Sequence, residues 1–188
     1  MNQIIVVAFT TVDGVVEDPD GSAGTPDGGW AFRHGPEAVA GDKFNLGSRL
    51  DTGALLFGRR TWQEFTKLWP ERSDGFSTRM NAAQKCVASR TLTDLSAWNN
   101  SELIGGELTS ETQRLRRERD VIVIGSGSIT RTLRAHDLVD EYRLLVFPTV
   151  LGTGRRLFEG PAPGGELRLI SVEPRGAAAL LCYRSAGR

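Results

Sequence analysis

The stretch Val121–Phe158, VIVIGSGSITRTLRAHDLVDEYRLLVFPTVLGTGRRLF, is the most informative part of this chain for its fold. It opens with four apolar residues, Val121–Ile124, which are too few for a helix and are followed by glycine, so we predict a buried strand. The turn Gly125–Ser128 comes next, and a helical pattern begins with Ile129 and Leu133 four residues apart. A strand, a glycine-rich turn and a helix start place free backbone N–H groups and a positive dipole end at one point, which is typical of a phosphate site.

A second turn of this kind follows the apolar strand Ala54–Phe57. Gly58 ends the strand, and a T-x-x-E capping box that starts at Thr61 predicts that the next helix begins there. Arg59 and Arg60 would then stand just before the helix. Two arginines at the positive end of a helix are unfavourable unless an anion is bound, and the alternative is a pair of solvated surface arginines.

A third strand, Lys85–Ala88, is followed by the polar and basic residues Ser89 and Arg90. Three strands therefore end in polar or basic turns. Because the carboxyl ends of parallel strands lie on one edge of an open sheet, and ligands bind at that edge, we expect these turns to meet there.

Helices and short apolar strands alternate through the middle of the chain, which predicts an α/β domain with a mostly parallel sheet. The strands are predicted at about 3–10, 54–57, 85–88, 102–105, 121–125, 141–147, 166–173 and 177–184. The helices are predicted at about 36–50, 61–69, 110–119 and 128–135. A hairpin-length turn, Pro174–Gly176, makes the C-terminal edge of the sheet antiparallel. Residues 1–188 are expected to form one domain.

The order of these segments resembles the dihydrofolate reductase-like superfamily. The segments that carry the resemblance are IIVVAFTTVDGVVE, LLFGRRTWQEF, CVASRT, VIVIGSGS and DEYRLLVFPTVLGTGRRLF. It covers about residues 3–184 and is closest to the branch that contains the C-terminal reductase domain of bifunctional riboflavin-biosynthesis proteins. The resemblance implies a three-layer fold, with helices on both faces of a sheet of about eight strands.

The same resemblance implies an NADPH-dependent reductase. Its substrate would be a flat heteroaromatic or ribosylaminopyrimidine compound, as for a 5-amino-6-(5-phosphoribosylamino)uracil reductase or a dihydrofolate or pterin reductase. A nucleotide-binding module without catalysis is the alternative from another functional class. A pterin, a ribosylaminopyrimidine or a specialised metabolite would each fit a flat pocket, so the substrate stays open.

The resemblance also implies which positions bind the cofactor. Ala8 and Val16 would flank the nicotinamide. The strand-end turns would hold the phosphates and the adenine ribose through Gly58, Arg59, Arg60, Thr61, Ser89, Arg90, Gly125, Ser126, Gly127, Ser128 and Ile129. The arginines favour NADPH over NADH, because a guanidinium makes a charge-assisted contact with the 2′-phosphate.

Asp42 is the candidate catalytic proton donor. On a helix over 36–50, Asp42 lies on the apolar face, three residues after Val39 and four before Leu46. Burial there would raise the pKa of the carboxyl group, which suits an acid that delivers a proton near neutral pH. The alternatives are that Asp42 points to solvent or pairs with a lysine or arginine.

The long loop 12–35 is rich in glycine and ends in an aromatic and basic segment. Loops of this length in a compact domain are usually lids or binding loops, so we predict a mobile flap that places Trp30 and Phe32 against a flat substrate. The alternative is a surface loop with Trp30 in the core. Asp13 is predicted to anchor a turn. The loop Gly152–Arg156 either contacts a substrate phosphate or simply turns the chain.

Composition limits the partners. The chain has 23 basic and 23 acidic residues, so nothing favours nucleic acid or an anionic membrane. The two histidines are far apart and no metal site is expected. Cys86 and Cys182 are predicted to be buried thiols in a reducing cytosol, and no apolar run is long enough to span a membrane, so we expect a cytoplasmic protein. The apolar final strand, 177–183, is predicted to be an exposed edge that a homodimer covers.

Overall fold

The computed structural model describes residues 1–160, 162 and 164–186. The strands are β1 (Ile4–Thr11), β2 (Ala54–Gly58), β3 (Gln84–Ala88), β4 (Ser101–Ile104), β5 (Val121–Ile124), β6 (Glu141–Phe147), β7 (Leu167–Arg175) and β8 (Ala178–Ser185). The helices are α1 (Arg49–Thr52), α2 (Arg59–Thr66), α3 (Gly75–Ala82), α4 (Leu108–Glu118) and α5 (Gly127–Ala135), with a 3-10 helix over Trp30–His34.

The eight strands form one sheet in the order β4-β3-β2-β5-β1-β6-β8-β7. β1 lies inside the sheet and pairs in parallel with β5 and with β6. β8 is antiparallel to both of its neighbours, β6 and β7. The predicted mostly parallel sheet with an antiparallel C-terminal edge is therefore confirmed, but the prediction that the final strand is the edge is wrong, because β7 lies outside it.

Both faces of the sheet are buried at its central strands, where alternate residues of a strand lie on different faces. On β1, Ile5 and Val7 belong to one hydrophobic cluster while Ile4 and Val6 belong to the other. The first cluster includes buried residues of α1, α2, α3 and the loops around them. The second includes Leu115 and residues of α5. This arrangement confirms three layers, with helices on both faces.

The predicted helix over 36–50 is wrong. Most of that segment is a series of turns, and only the four-residue helix α1 follows at its end. Gly41, Asn45 and Gly47 have positive φ angles of 57°, 51° and 54°, and a right-handed helix cannot pass through such residues. The helix α3 was not predicted. It begins after Asp74, whose carboxylate accepts hydrogen bonds from the backbone N–H groups of the first turn.

Candidate functional site

The carboxyl ends of β1, β2, β3 and β5 open into one cleft with a volume of about 1500 Å³. Every predicted cofactor-binding residue lines this cleft: Ala8, Val16, Gly58, Arg59, Arg60, Thr61, Ser89, Arg90, Gly125, Ser126, Gly127, Ser128 and Ile129. Phe32 lines it as well, whereas Trp30 and Asp42 do not. The sheet thus brings together turns that are far apart in sequence. The role of each residue in binding stays a prediction.

The turns after β2 and β5 are joined through one serine. Ser126 Oγ accepts a hydrogen bond from the Gly58 N–H at 2.8 Å and lies 3.1 Å from both Thr61 Oγ1 and the Ile124 carbonyl oxygen. Gly125 has a φ of 61°, and a Cβ atom there would lie 3.3 Å from Thr61 Cγ2. The left-handed backbone favours glycine at this position, and the tight contact with Thr61 adds to that preference.

The helices α2 and α5 begin at these two turns, and neither has a side chain that caps its first N–H groups. Free N–H groups at a helix N-terminus, together with the helix dipole, favour a bound anion such as phosphate. The predicted capping box at Thr61 is wrong. The helix α2 already begins at Arg59, and Glu64 forms an ion pair with Lys67 at 2.9 Å instead of capping the helix.

Three arginines at this edge of the sheet have no carboxylate partner among the described residues. Arg59 and Arg60 form the first turn of α2, and Arg90 follows β3. All three are exposed and line the cleft. Positive charge at the positive end of α2 is unfavourable in the free protein, so these residues fit a strongly anionic ligand. The uncapped helices and the arginines without carboxylate partners are the observations that match a phosphate-bearing ligand.

The loop 12–35 forms one wall of the cleft and is held by its own hydrogen bonds. The carboxylate of Asp18 is buried and accepts hydrogen bonds from the N–H groups of Ala23 and Thr25, each at 2.8 Å, and from the Thr25 hydroxyl. The loop pairs with the segment 152–157, since the Val16 N–H donates to the Arg155 carbonyl oxygen at 2.9 Å. The motion of this wall as a flap stays a prediction.

Asp13 anchors the junction between these two loops, as predicted. Its carboxylate accepts hydrogen bonds from the Thr11 hydroxyl at 2.6 Å and from the Gly152 N–H at 2.8 Å. These hydrogen bonds lower the pKa of Asp13 to about 2, with the Thr11 hydroxyl as the largest cause. The carboxylate therefore stays ionised and holds the loops together.

Trp30 is a core residue, so its prediction as a substrate contact is wrong. The side chain is fully buried, and its Nε1 donates a hydrogen bond to the Glu17 carbonyl oxygen at 2.8 Å. The ring lies edge-on to Phe147 with the centroids 5.6 Å apart. The same short 3-10 helix leaves Phe32 53% exposed at the cleft. The tryptophan anchors the loop and the phenylalanine is free to meet a ligand.

Asp42 does not lie on an apolar helix face, because the helix that would place it there does not form. Its carboxylate accepts hydrogen bonds from the N–H groups of Leu46 at 2.8 Å and Gly47 at 2.7 Å, which closes a turn. It is partly exposed and lies outside the lining of the cleft. The reason for assigning Asp42 as a catalytic proton donor is therefore removed.

A lysine that the sequence-based predictions missed lies at the aromatic end of the cleft. Lys43 Nζ is 5.1 Å from the ring centroid of Phe76, 5.8 Å from that of Phe9 and 5.9 Å from that of Trp69. Burial among these rings lowers the pKa of Lys43 to about 8. No sequence signal marks this residue, because the rings come from β1, from α3 and from the segment after α2.

Within residues 1–160, 162 and 164–186, no group of three or more His, Cys, Asp or Glu side chains is arranged to hold a metal ion. No helix in this part of the chain has both the length and the apolar character needed to cross a membrane. Cys86 and Cys182 are both buried free thiols, as predicted.

The family model for the RibD C-terminal domain matches residues 2–181. The chain is also 27% identical, over 163 residues, to the uncharacterized protein YyaP of Bacillus subtilis. That alignment covers 83% of this chain and 80% of YyaP.

Solved structures share the fold. A putative riboflavin biosynthesis protein from Shewanella sp. PV-4 has a TM-score of 0.75 and 21% identity, and the match covers 97% of this chain and 98% of that one. A diaminohydroxyphosphoribosylaminopyrimidine deaminase/5-amino-6-(5-phosphoribosylamino)uracil reductase from Thermotoga maritima has a TM-score of 0.61 and 16% identity, over 98% of this chain and 57% of that one. A pyrimidine reductase-like protein from Corynebacterium diphtheriae has a TM-score of 0.61 and 12% identity, over 98% and 92% of the two chains. These likenesses establish the fold.

Proposed function

The chain belongs to the family of RibD C-terminal domains, and on that premise we propose that it is an NADPH-dependent reductase of a flat heteroaromatic or ribosylaminopyrimidine substrate. One observation carries this proposal: two uncapped helix N-termini and three arginines without carboxylate partners, within the described residues, line the same cleft. The names of two solved relatives, a uracil-type reductase and a pyrimidine reductase-like protein, support the substrate class. A cytoplasmic location is part of the proposal.

The proposed roles follow from the cleft. A nicotinamide cofactor supplies a hydride when bound. The N–H groups at the starts of α2 and α5 would hold its phosphates, with Ser126 fixing the two turns at their observed separation. Ala8 and Val16 would flank the nicotinamide. Phe32 would cover a flat substrate ring from the loop side of the cleft.

The reductase activity is tested by following NADPH absorbance with dihydrofolate, lumazine and a 5-amino-6-ribosylaminouracil phosphate as candidate substrates. Oxidation of NADPH with any of these compounds supports the proposal. Tight NADPH binding without turnover on any flat heterocycle would instead favour the nucleotide-binding module. Failure to bind NADPH at all would contradict both.

We expect the protein to bind NADPH at least tenfold more tightly than NADH. A charged hydrogen bond to the 2′-phosphate is worth about 1.5–3 kcal/mol, which corresponds to roughly tenfold or more in affinity. Titration of tryptophan fluorescence measures both affinities. The variant Arg90→Gln should lose most of the preference, whereas Arg168→Gln, on β7 and outside the cleft, should keep it. Equal affinities of the wild-type protein would show that NADPH is the wrong assignment.

The edge strand β7 supports the proposed homodimer. Leu167, Leu169, Ile170 and Val172 are large apolar residues that β7 exposes. An exposed apolar edge strand is an aggregation hazard unless a partner covers it, and a second copy is the commonest partner.

We expect sedimentation velocity at micromolar concentration to give a species of twice the chain mass of 20.5 kDa. The double variant Leu169→Lys with Val172→Lys should sediment as a monomer. The variant Val150→Lys changes an exposed apolar residue outside β7 and should stay dimeric. A monodisperse wild-type monomer would contradict the dimer.

A further inference from the structure

The aromatic end of the cleft contains hydrogen-bond donors without acceptors. Lys43 Nζ forms no hydrogen bond and no ion pair with any described residue, although three rings surround it. Trp69, which lines the same cleft, has its Nε1 buried without an acceptor. Its ring also lies under the guanidinium of Arg72, whose Cζ is 5.6 Å from the centroid.

The carboxylates nearest to Lys43 are already committed. Asp42 accepts hydrogen bonds from two backbone N–H groups, as described above. Asp74 caps α3 by accepting hydrogen bonds from the N–H groups of Phe76 and Ser77, each at 3.1 Å. Both aspartates favour the charged form of Lys43 from a distance, whereas Arg72 opposes it. Among the described residues, no carboxylate therefore shields the ammonium group from a ligand.

A buried donor without an acceptor is unfavourable, and native proteins rarely keep one without a reason. Trp69 Nε1 is such a donor, whereas the Lys43 side chain is partly exposed at the cleft. Here the ammonium group and the indole N–H line a cleft whose walls at this end are aromatic. Such a site fits a flat ring that carries acceptor atoms and no donors at this edge. In the protein without a ligand, cation–π contacts hold the ammonium group in place.

The donor pair and the predicted position of the nicotinamide line the same cleft. Phe9, against which Lys43 packs, and Ala8 are neighbours on β1, but their side chains lie on opposite faces of the sheet. Both residues lie beyond Val7, the last residue of β1 that pairs with β5, at the point where the cleft opens. A substrate ring that bridges the nicotinamide and the aromatic end of the cleft would present its edge to Lys43.

We infer that Lys43 is the catalytic acid of this cleft, and that Lys43 and Trp69 Nε1 together bind a flat ring with two acceptors, one of them the heteroatom of a polarised C=N or C=O bond. This inference rests on the proposed reductase function and adds to it the group that supplies the proton.

Electrons and protons are accounted for in the proposed step. When the carbon of the double bond has gained a hydride, the π electron pair moves to the nitrogen or oxygen, which takes a proton from Lys43 Nζ. The ring is then reduced by two electrons and the amine is neutral until it regains a proton from water. Because the lysine must start protonated and its pKa is about 8, the rate should fall as the pH rises through that value.

Binding of a probe tests the inference without turnover. The chain has only three lysines, Lys43, Lys67 and Lys85, so ¹³C-labelled lysine gives a simple NMR spectrum. We expect lumazine, 5-aminouracil or dihydrofolate to move the Cε signal of Lys43 and to leave that of Lys67 in place. If none of the three probes moves the Lys43 signal, the inference is overturned.

Variants separate binding from proton delivery. Lys43→Met should weaken binding of the responding probe about tenfold or more, since a charge-assisted hydrogen bond is lost. Trp69→Phe should weaken it severalfold. Lys43→Arg should keep most of the binding but lose turnover, because a guanidinium does not release its proton at these pH values. Lys67→Met, outside the cleft, is the matched control and should bind as the wild type does.

The two hypotheses fail in different ways. If Lys43→Met, folded by circular dichroism, binds the probes and turns them over as the wild type does, Lys43 is not the acid, while NADPH oxidation by both proteins leaves the proposed function standing. If the wild type binds no NADPH, the proposed function fails. Wild-type NADPH affinity in Lys43→Met shows that the variant changes the substrate end alone.

Discussion

Replacing Gly127 with valine is expected to lower the affinity for NADPH by about 100-fold and to leave the fold intact. Gly127 is the first residue of α5, and a Cβ atom there meets nothing within 4 Å in the free protein. The added side chain would therefore occupy the space in front of the helix N-terminus, where the pyrophosphate is proposed to bind. Losing two charge-assisted hydrogen bonds of about 1.5 kcal/mol each gives an effect of about this size.

Gly75 offers a matched control, because it is the first residue of α3 and has open space around its Cβ position. It does not itself line the cleft, although its neighbours Asp74 and Phe76 line the aromatic end. Gly75→Val should bind NADPH as the wild type does. Circular dichroism and thermal melting check that both variants fold, and tryptophan fluorescence measures the affinity. A folded Gly127→Val protein with wild-type affinity would show that the pyrophosphate does not bind at α5.

Replacing Trp30 with alanine is expected to lower the free energy of unfolding by about 3–5 kcal/mol, the usual cost of truncating a fully buried tryptophan. The change also removes the hydrogen bond to the Glu17 carbonyl oxygen and the contact with Phe147. Urea unfolding followed by circular dichroism measures the loss.

Phe32→Ala is the control from the same short helix. Its side chain is half exposed, so the free energy of unfolding should change by about 0.5 kcal/mol or less. The same variant should weaken binding of a flat heteroaromatic ligand, because it removes one wall of the cleft. If Trp30→Ala were as stable as the wild type and lost ligand binding instead, Trp30 would be a substrate contact after all.

The short apolar strands were predictable because a parallel sheet is covered on both faces. Every residue of a central strand is then buried, which leaves a continuous apolar run such as Val121–Ile124. The strand-end turns were predictable because glycine, serine or basic residues follow directly where each apolar run ends. Their convergence on one cleft follows from the parallel topology. The strand-end turns that line the cleft were thus predictable from local sequence together with one rule about sheets. Ala8 and Val16 came only from the resemblance to the dihydrofolate reductase-like superfamily, and the binding role of all these residues stays a prediction.

The substrate end of the cleft was not predictable in this way. The spacing of Val39 and Leu46 imitates a helix, but three residues with positive φ, Gly41, Asn45 and Gly47, make this segment a series of turns. That error placed Asp42 on a face that does not exist and concealed Lys43. Asp74 is an N-cap residue before Phe76 and Met80, which are four residues apart, and this signal could have revealed α3.

The order of strands in the sheet has a consequence for biosynthesis. β1 is synthesised before every other strand, yet both strands that enclose it, β5 and β6, emerge only after β2, β3 and β4. A nascent chain on the ribosome therefore carries the apolar segment Ile4–Ala8 without its native neighbours for most of translation. Contacts of such long sequence separation slow folding and prolong exposure to aggregation. We therefore expect β1 to be the strand most exposed to aggregation while the chain is being synthesised.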